Sequence, residues 1–280
     1  MKVITPLVQI DNKGRIWGKL ETFNRTGSIK DRIIDYICDK ALLEGKISSS
    51  STLVEASSGN TGIALASYAA MIGAKCVIIM PENMSQQRKD MMTAFGAQLI
   101  LTGHNEFKKA ISMRDELVNK NGWFSPFQFM NRLNIQCHYE ETAPEIYGQL
   151  NLIKPFIWGA FVHGSGTGGT MMGVKQFIDD NELNVKCVLA QPAEDNASHG
   201  IQGINDGADF LLDRSLMNDI ISIKTEDAIN RMKKFWRENG VLIGISSGAN
   251  ILASERYLEK IKDPNKAIIT ILCDRGERYL

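Results

Sequence analysis

Short apolar runs alternate with longer segments of helical periodicity along most of the chain. Runs of about four to eight apolar residues are typical of strands buried on both faces, and apolar residues that recur every three or four positions are typical of helices. In the first half the pattern predicts strands at 52–56, 76–80 and 98–102 and helices at 63–72, 85–95 and 106–120. Ser85 is a suitable N-cap, and Gly73 and Gly96 are suitable helix ends.

The same alternation returns after a helix predicted at 137–150. It predicts strands at 156–162, 185–190, 241–245 and 267–273, with helices that end near 180, span 225–239 and follow a turn at 246–248. Apolar strands separated by helices form parallel sheets covered on both faces. The predicted fold class is therefore α/β, with two domains, each an open, mostly parallel twisted sheet flanked by helices.

Charge and hydropathy exclude several classes of partner. The 280 residues contain 32 Lys and Arg and 32 Asp and Glu, so the formal net charge is zero. No positive field attracts nucleic acid or an anionic membrane. The apolar runs fall short of the roughly 20 residues that cross a bilayer. The N-terminus shows no signal or transit pattern, and we expect a cytoplasmic protein.

Cysteine spacing argues against disulfides and against a metal site. The five cysteines lie far apart and include no C-x-x-C pair: Cys38, Cys76, Cys137, Cys187 and Cys273. A disulfide framework or a zinc site needs an even or closely spaced set. We expect reduced, mostly buried thiols and no bound metal.

Three loops of small residues follow predicted strands, where parallel sheets bind ligands. Loop 57–62 (S-S-G-N-T-G) offers N–H groups, hydroxyls and an amide that suit a carboxylate, although a capped turn has the same composition. Loop 164–170 (G-S-G-T-G-G-T) suits a phosphate, because its backbone can approach closely. The third loop is 244–248 (G-I-S-S-G).

Loop 164–169 also fits the dinucleotide fingerprint G-x-G-x-x-G. Glu194 or Asp195 follows the next strand about where a ribose-binding acid would lie, so a nicotinamide enzyme is an alternative. The fingerprint alone is weak, and the other two loops supply polar groups that a dinucleotide site does not require. Their joint presence favours a different ligand.

Lys30 stands in the run T-G-S-I-K-D-R, where Gly27 and Ser28 can open a helix. A lysine in the first turn of a helix is unfavourable to the helix dipole. A desolvated lysine near a helix N-terminus has a lowered pKa and suits Schiff-base formation. A solvent-exposed lysine is the alternative.

These motifs together resemble one known family. The runs are K-L-E-T-F-N-R-T-G-S-I-K-D-R, S-S-G-N-T-G-I-A-L-A, M-P-E-N-M-S-Q-Q-R, G-S-G-T-G-G-T, G-I-S-S-G-A and C-D-R-G-E-R-Y-L. Their order and spacing are similar to those of the pyridoxal-phosphate cysteine synthase / cystathionine beta-synthase family of fold type II. The third and last runs look closest to the cysteine synthase B type.

The resemblance implies roles for individual residues. Lys30 would form the internal aldimine and act as the base at the substrate Cα. The implied cofactor-binding residues are Lys30, Asn60 near O3′, Gly166, Thr167, Gly168, Gly169 and Thr170 around the phosphate, and Ser246 at the pyridine nitrogen, with Ser247 less favoured. The implied substrate-carboxylate residues are Ser57, Ser58, Gly59, Thr61 and Gln128.

The resemblance also implies a reaction and an organisation. Residues 31–130 would form a smaller α/β domain with the carboxylate loop, and 1–30 with 131–280 a larger one with the phosphate loop. The implied reaction is β-replacement on a β-substituted L-alanine through an aminoacrylate, with sulfide or another small nucleophile. Cysteine synthesis from O-acetylserine is the leading reaction, and a homodimer is the implied assembly.

Two alternatives remain at this point. The family often has glycines where this chain has Asn205 and Asp206. Asp206 could be a solvated loop residue, or a catalytic base that makes the enzyme consume cysteine, release sulfide and form serine. A catalytically idle homologue is a further possibility, against which intact Lys30, Asn60 and Ser246 count.

Overall fold

The computed structural model describes residues 3–57, 59–153, 155–195, 200–201, 203–204 and 209–280. The chain divides into a larger unit, Met1–Gly27 with Asn134–Leu280, and a smaller unit, Ser28–Leu133. The chain thus leaves the larger unit after its first strands and returns once the smaller unit is complete.

The strands in chain order are β1 (Leu7–Gln9), β2 (Ile16–Leu20), β3 (Thr52–Ala56), β4 (Lys75–Pro81), β5 (Gln98–Thr102), β6 (Ile157–Gly164), β7 (Lys186–Pro192), β8 (Asp219–Ile223) and β9 (Lys266–Leu272). The α-helices are α1 (Lys30–Leu43), α2 (Asn60–Ile72), α3 (Gln86–Ala94), α4 (Phe107–Asn121), α5 (Leu133–Cys137), α6 (Ala143–Asn151), α7 (Gly169–Asp180), α8 (Thr225–Asn239) and α9 (Ile245–Leu258). A π-helix, His138–Thr142, joins α5 to α6.

The smaller unit contains a three-stranded parallel sheet in the order β3-β4-β5. The apolar runs of β3 and β4 are buried, and α4 covers one face of the sheet through Ala110 and its apolar neighbours. Helix α2 is rich in small apolar residues and ends at Gly73, whose φ of 71° is left-handed. Because β3 and β4 pair in parallel, with Ala56 in register with Ile79, the ends of these two strands lie side by side.

The larger unit contains a six-stranded sheet in the order β1-β2-β9-β6-β7-β8. Among the pairings of described residues in this sheet, that of β1 with β2 is antiparallel and the other four are parallel. Helix α9 lies against the sheet, since Ala249 and Ala253 share a core with strand residues such as Ala160 and Ile268. The α/β prediction, with mostly parallel sheets flanked by helices, is confirmed.

One predicted strand is wrong. Segment 241–245 has the apolar run of a strand, but only Ile243 makes an isolated antiparallel bridge, with Arg275. Gly244 is already the N-cap of α9, and its N–H donates to the Asp274 carbonyl at 3.0 Å. The buried Ile243 side chain thus fills a core from a loop. The predicted turn at 246–248 lies inside the first turn of α9.

All five cysteine thiols are free, and four of them are buried, as the sequence predicts. Burial raises the pKa of the Cys76 and Cys187 thiols to about 12. Among the described residues, no helix is both long and apolar enough to cross a bilayer.

Candidate active site

In the larger unit, the glycine loop joins the end of β6 to the start of α7, and close packing explains its glycines. A Cβ atom on Gly166 would lie 2.5 Å from the carbonyl oxygen of Gly203. Gly168 has a φ of 92°, and a Cβ there would lie 2.3 Å from the backbone nitrogen of Leu212. The loop therefore presents backbone rather than side chains at the N-terminus of α7, where unpaired N–H groups and the helix dipole favour an anion.

The two threonines of this loop are held by buried side chains from the α5 region. Asn134 donates to the Thr167 hydroxyl at 2.9 Å. The Thr170 hydroxyl lies 3.1 Å from Nε2 of His138, whose Nδ1 lies 2.8 Å from the Thr142 hydroxyl. His138 begins the π-helix, a local widening that is common at functional sites. These contacts fix the orientation of both threonines.

The base of the loop is fixed from α9. Asn250 is fully buried, and its side-chain oxygen accepts from the Gly164 N–H at 2.8 Å. Its amide nitrogen donates to the Ile271 carbonyl at 2.9 Å and lies 3.1 Å from Nδ1 of His163. One asparagine thereby links the end of β6 to β9 and α9.

Ser246 and Ser247 occupy the first turn of α9 and differ in their contacts. The Ser247 hydroxyl accepts from the Cys273 N–H at 2.8 Å, so it is part of the connection to β9. The buried Ser246 hydroxyl faces Gly203, from whose Cβ position it lies 4.0 Å. Because Gly203 also packs on Gly166, Ser246 and the glycine loop both lie next to Gly203.

The larger unit fits the phosphate and ring of a pyridoxal-phosphate cofactor. The glycine cradle has no room for side chains, Thr167 and Thr170 add hydroxyls, and Ser246 offers a neutral hydroxyl nearby. Glu194, one of the two candidate ribose-binding acids, instead accepts from the Thr225 N–H at 2.7 Å and caps α8. This contact speaks against the dinucleotide alternative.

In the smaller unit, Lys30 is the first residue of α1 and is half-buried. Its backbone N–H donates to the Ser28 hydroxyl at 3.3 Å. A cation gains nothing from the dipole at this end of a helix, so helix stability does not account for the lysine.

The loop after β3 is shaped by Ser57. Its buried hydroxyl oxygen accepts from the N–H groups of Gly62 at 2.9 Å and Gly59 at 3.3 Å. Ser57 therefore caps α2, which agrees with the capped turn given as the alternative for loop 57–62. Its hydroxyl hydrogen remains an additional donor. Gly59 and Asn60, at the start of α2, are half-buried.

Thr61 and Gln128 are brought together, although 67 residues separate them in the sequence. The Thr61 hydroxyl donates to the side-chain oxygen of Gln128 at 2.7 Å, and both side chains are buried. This leaves the amide nitrogen of Gln128 as the donor of that side chain. Ser58 and Asp206, the other two predicted site residues, lie outside the described residues.

Sequence reasoning missed the buried polar residues behind these loops. Glu55 and Arg114 form a buried ion pair of 2.6 Å, and His138 and Asn134 support the threonines. Burial raises the pKa of the Glu55 carboxyl, and the Arg114 guanidinium opposes that rise. One signal was available, because Glu55 interrupts the apolar run of β3.

Comparisons with known proteins agree with this geometry. A cysteine synthase from Staphylococcus aureus is 38% identical over 294 aligned positions, which cover 99% of this chain and 92% of that protein. Cysteine synthase B from Campylobacter jejuni is 38% identical over 289 positions, covering 99% of this chain and 94% of that protein. A solved hydrogen sulfide-producing enzyme from Fusobacterium nucleatum superposes with a TM-score of 0.90 at 35% identity, covering 99% of this chain and 96% of that one.

The family model described as pyridoxal-phosphate dependent enzyme matches residues 3–274. This match covers nearly the whole chain and does not favour the nicotinamide alternative. Together with relatives of 38% identity over nearly their full length, it shows that the chain belongs to the pyridoxal-phosphate dependent enzyme family.

Proposed function

We propose that this protein is a cysteine synthase that catalyses β-replacement on a β-substituted L-alanine. In this reaction O-acetyl-L-serine and hydrogen sulfide give L-cysteine and acetate. The observation that carries the proposal is the 2.7 Å contact between Thr61 and Gln128, two residues that the family resemblance expects to hold the substrate carboxylate. The cysteine synthases among its relatives support the same reaction.

Each unit contributes a distinct set of residues in this proposal. The smaller unit supplies Lys30 and the carboxylate loop. The larger unit supplies the phosphate loop and Ser246. Pyridoxal phosphate, when bound, supplies the electron withdrawal that acidifies the substrate Cα–H.

The residues of the smaller unit bind the amino acid and move its proton. The Gln128 amide, the Thr61 hydroxyl and the N–H groups at the start of α2 supply donors for an α-carboxylate. Lys30 takes the proton from Cα, after which the acetate group can leave from Cβ, sulfide can add there, and Lys30 returns a proton to Cα. Asn60 is proposed to donate to O3′ of the cofactor.

The residues of the larger unit hold the cofactor in place. The N-terminus of α7, with Thr167 and Thr170, binds the phosphate, and Asn134 and His138 hold the two hydroxyls. Ser246 is proposed to face the ring nitrogen. A neutral hydroxyl there does not keep the nitrogen protonated as a carboxylate would, which favours loss of a β-substituent over a long-lived carbanion.

Cysteine breakdown to serine and sulfide is the second candidate. A hydrogen sulfide-producing enzyme is among the similar solved structures, so the fold alone does not distinguish the two directions. Relatives named cysteine synthase at 38% identity favour synthesis. Homodimer assembly and a cytoplasmic location are also proposed, on the family resemblance.

The deciding experiment compares both reactions on the same holoenzyme. Purified protein is loaded with pyridoxal phosphate, and L-cysteine formed from O-acetyl-L-serine and sulfide is timed against sulfide released from L-cysteine. Faster synthesis is expected. Faster sulfide release, with L-serine as product, would replace the proposal with the second candidate. Asp206→Asn then tests the base: it should slow that release about 10²–10⁴-fold if Asp206 activates water.

A further inference from the structure

We propose that the buried Glu55–Arg114 ion pair positions Gln128 for recognition of the substrate carboxylate. The inference rests on the proposed function, in which Gln128 and Thr61 hold that carboxylate. Neither Glu55 nor Arg114 is proposed to touch substrate. Both act through the backbone segment that carries Gln128.

The Glu55 carboxylate joins the end of its own strand, β3, to the segment that carries Gln128. Its Oε1 accepts from Arg114 Nη1 at 2.6 Å and from the Ala56 N–H at 2.9 Å. Its Oε2 accepts from the Gln128 N–H at 3.3 Å. The carboxylate is fully buried, so each of its two oxygens is used by protein donors.

The connection continues from Gln128 to the carboxylate loop. The Gln128 backbone is held by Glu55, while its side chain accepts from Thr61 at the start of α2. Ala56, also held by Glu55, directly precedes Ser57 of the same loop. The Glu55 carboxylate thus holds the backbone at Gln128 and the backbone just before the carboxylate loop.

Phe127 shows that the segment is held in an unusual conformation. Its φ of 51° lies in the left-handed region, which is unfavourable for a bulky residue. The Arg114 guanidinium lies 4.5 Å from the centre of the Phe127 ring, a cation–π distance. Arg114 therefore holds Phe127 through its ring and Gln128 through Glu55.

A purely structural role is the competing explanation, since buried ion pairs often add little net stability over apolar residues. The two explanations differ in what a variant loses. A carboxylate accepts at both oxygens, whereas the amide of Glu55→Gln accepts at only one. That variant should release either Arg114 or Gln128 while keeping the size of the side chain.

The experiment measures carboxylate recognition apart from turnover. Holoenzyme is titrated with L-alanine, which has no leaving group, and with ethylamine, which also lacks the carboxylate, and the visible absorbance of the bound cofactor reports binding. In Glu55→Gln the dissociation constant for L-alanine should rise about 10- to 100-fold, and that for ethylamine should stay within twofold. KM for O-acetyl-L-serine should rise more than kcat falls.

A matched control breaks another buried ion pair. Lys19 is fully buried in the larger unit and pairs with Glu145 at 2.8 Å. Glu145→Gln should leave the ratio of L-alanine to ethylamine affinity unchanged. If Glu55→Gln fails to fold, the double variant Glu55→Met/Arg114→Met replaces the ion pair by apolar side chains, removes the Glu55 acceptor of the Gln128 N–H and should show the same selective loss.

The outcomes separate the two proposals. If Gln128→Ala weakens L-alanine binding but Glu55→Gln and the double variant do not, the positioning role is wrong and the proposed function stands. If Gln128→Ala leaves L-alanine binding unchanged, the carboxylate site and the positioning role both fail. Equal losses for L-alanine and ethylamine in Glu55→Gln would indicate a general structural effect and overturn the inference.

Discussion

Nε2 of His138 lies 3.1 Å from the hydroxyl oxygen of Thr170, and both side chains are buried. The other ring nitrogen meets Thr142 at 2.8 Å, so the imidazole joins the π-helix to the first turn of α7. A neutral imidazole donates from one nitrogen and accepts at the other, which matches two hydroxyl partners. The phosphate loop therefore depends on a residue that no phosphate motif contains.

Replacing His138 should weaken cofactor binding. His138→Ala leaves two buried hydroxyls without a partner, a change that costs about 1–3 kcal/mol, or a roughly 5- to 150-fold higher dissociation constant for pyridoxal phosphate. Equilibrium titration of the apoprotein measures this constant. His104, which is exposed, supplies the control His104→Ala, and equal affinities in the two variants would contradict the supporting role.

Lys30→Ala should abolish turnover while leaving the fold intact. Loss of a positioned base alone lowers a rate by about 10²–10⁴-fold, and loss of the covalent attachment adds to it. The phosphate loop belongs to the other unit, so pyridoxal phosphate should still bind with a changed visible spectrum. Single-turnover assays and circular dichroism measure the two effects.

Lys46→Ala is the matched control for Lys30. Lys46 is an exposed lysine that pairs with Glu44 at 2.6 Å just after α1. Activity within twofold of wild type is expected for that variant. Wild-type turnover in Lys30→Ala would show that the lysine is not the base.

Cysteine reactivity should report the burial of the thiols. Cys273 is partly exposed and the other four cysteines are buried, so a thiol reagent should modify one cysteine in the native protein and five after denaturation. A thiol with a pKa of about 12, as for Cys76 and Cys187, has only about one part in 10⁴ as thiolate at pH 8. Raising the pH to 9 should leave these two unmodified. In Cys273→Ser the fast-reacting thiol should disappear, and a remaining fast phase would place another cysteine at the surface.

The central parallel strands could be predicted from the sequence because they are buried on both faces. Strands β4, β6 and β9 are almost continuous apolar runs, and each lies within two residues of its predicted limits. The edge strand β8 carries a weaker pattern. Strand β8 alternates exposed and buried residues over only five positions, and it was missed.

Other features depended on tertiary contacts that no local pattern encodes. Strand β2 contains Lys19, which reads as a surface residue but is fully buried against Glu145, Gln149 and the Thr5 carbonyl. The helix predicted at 137–150 contains the π-helix, whose extra residue places His138 against Thr170. Segment 241–245 has the apolar character of a strand, but Gly244 is the N-cap of α9, which begins at Ile245.

In the candidate site, too, the features with a local sequence pattern could be predicted and those that depend on tertiary contacts could not. The loops could be located because small residues after the strands of a parallel sheet are typical of ligand-binding loops. The family resemblance then assigned roles to those residues. The residues behind the loops, Asn134, His138, Glu55 and Arg114, come from other elements of the same unit. A charged residue inside an apolar strand, as at Glu55, is the one local signal of such a support.

Gly168→Ala should impair the phosphate loop more than any change in its hydroxyls. A Cβ atom at this position would lie 2.3 Å from the Leu212 nitrogen, and the φ of 92° is unfavourable for alanine whatever the space. The conformational cost alone is about 1–2 kcal/mol, and the clash with the Leu212 backbone adds to it, because backbone atoms cannot rotate away as a side chain can.

Gly148→Ala is the control, since a Cβ there meets nothing within 4 Å and lies inside a helix, where alanine is favoured over glycine by about 1 kcal/mol. Urea unfolding of the apoproteins and titration with pyridoxal phosphate measure both effects. We expect Gly148→Ala to be as stable as wild type or more so, and Gly168→Ala to lose both stability and cofactor affinity. Wild-type affinity in Gly168→Ala would mean that the glycine loop is not the phosphate site.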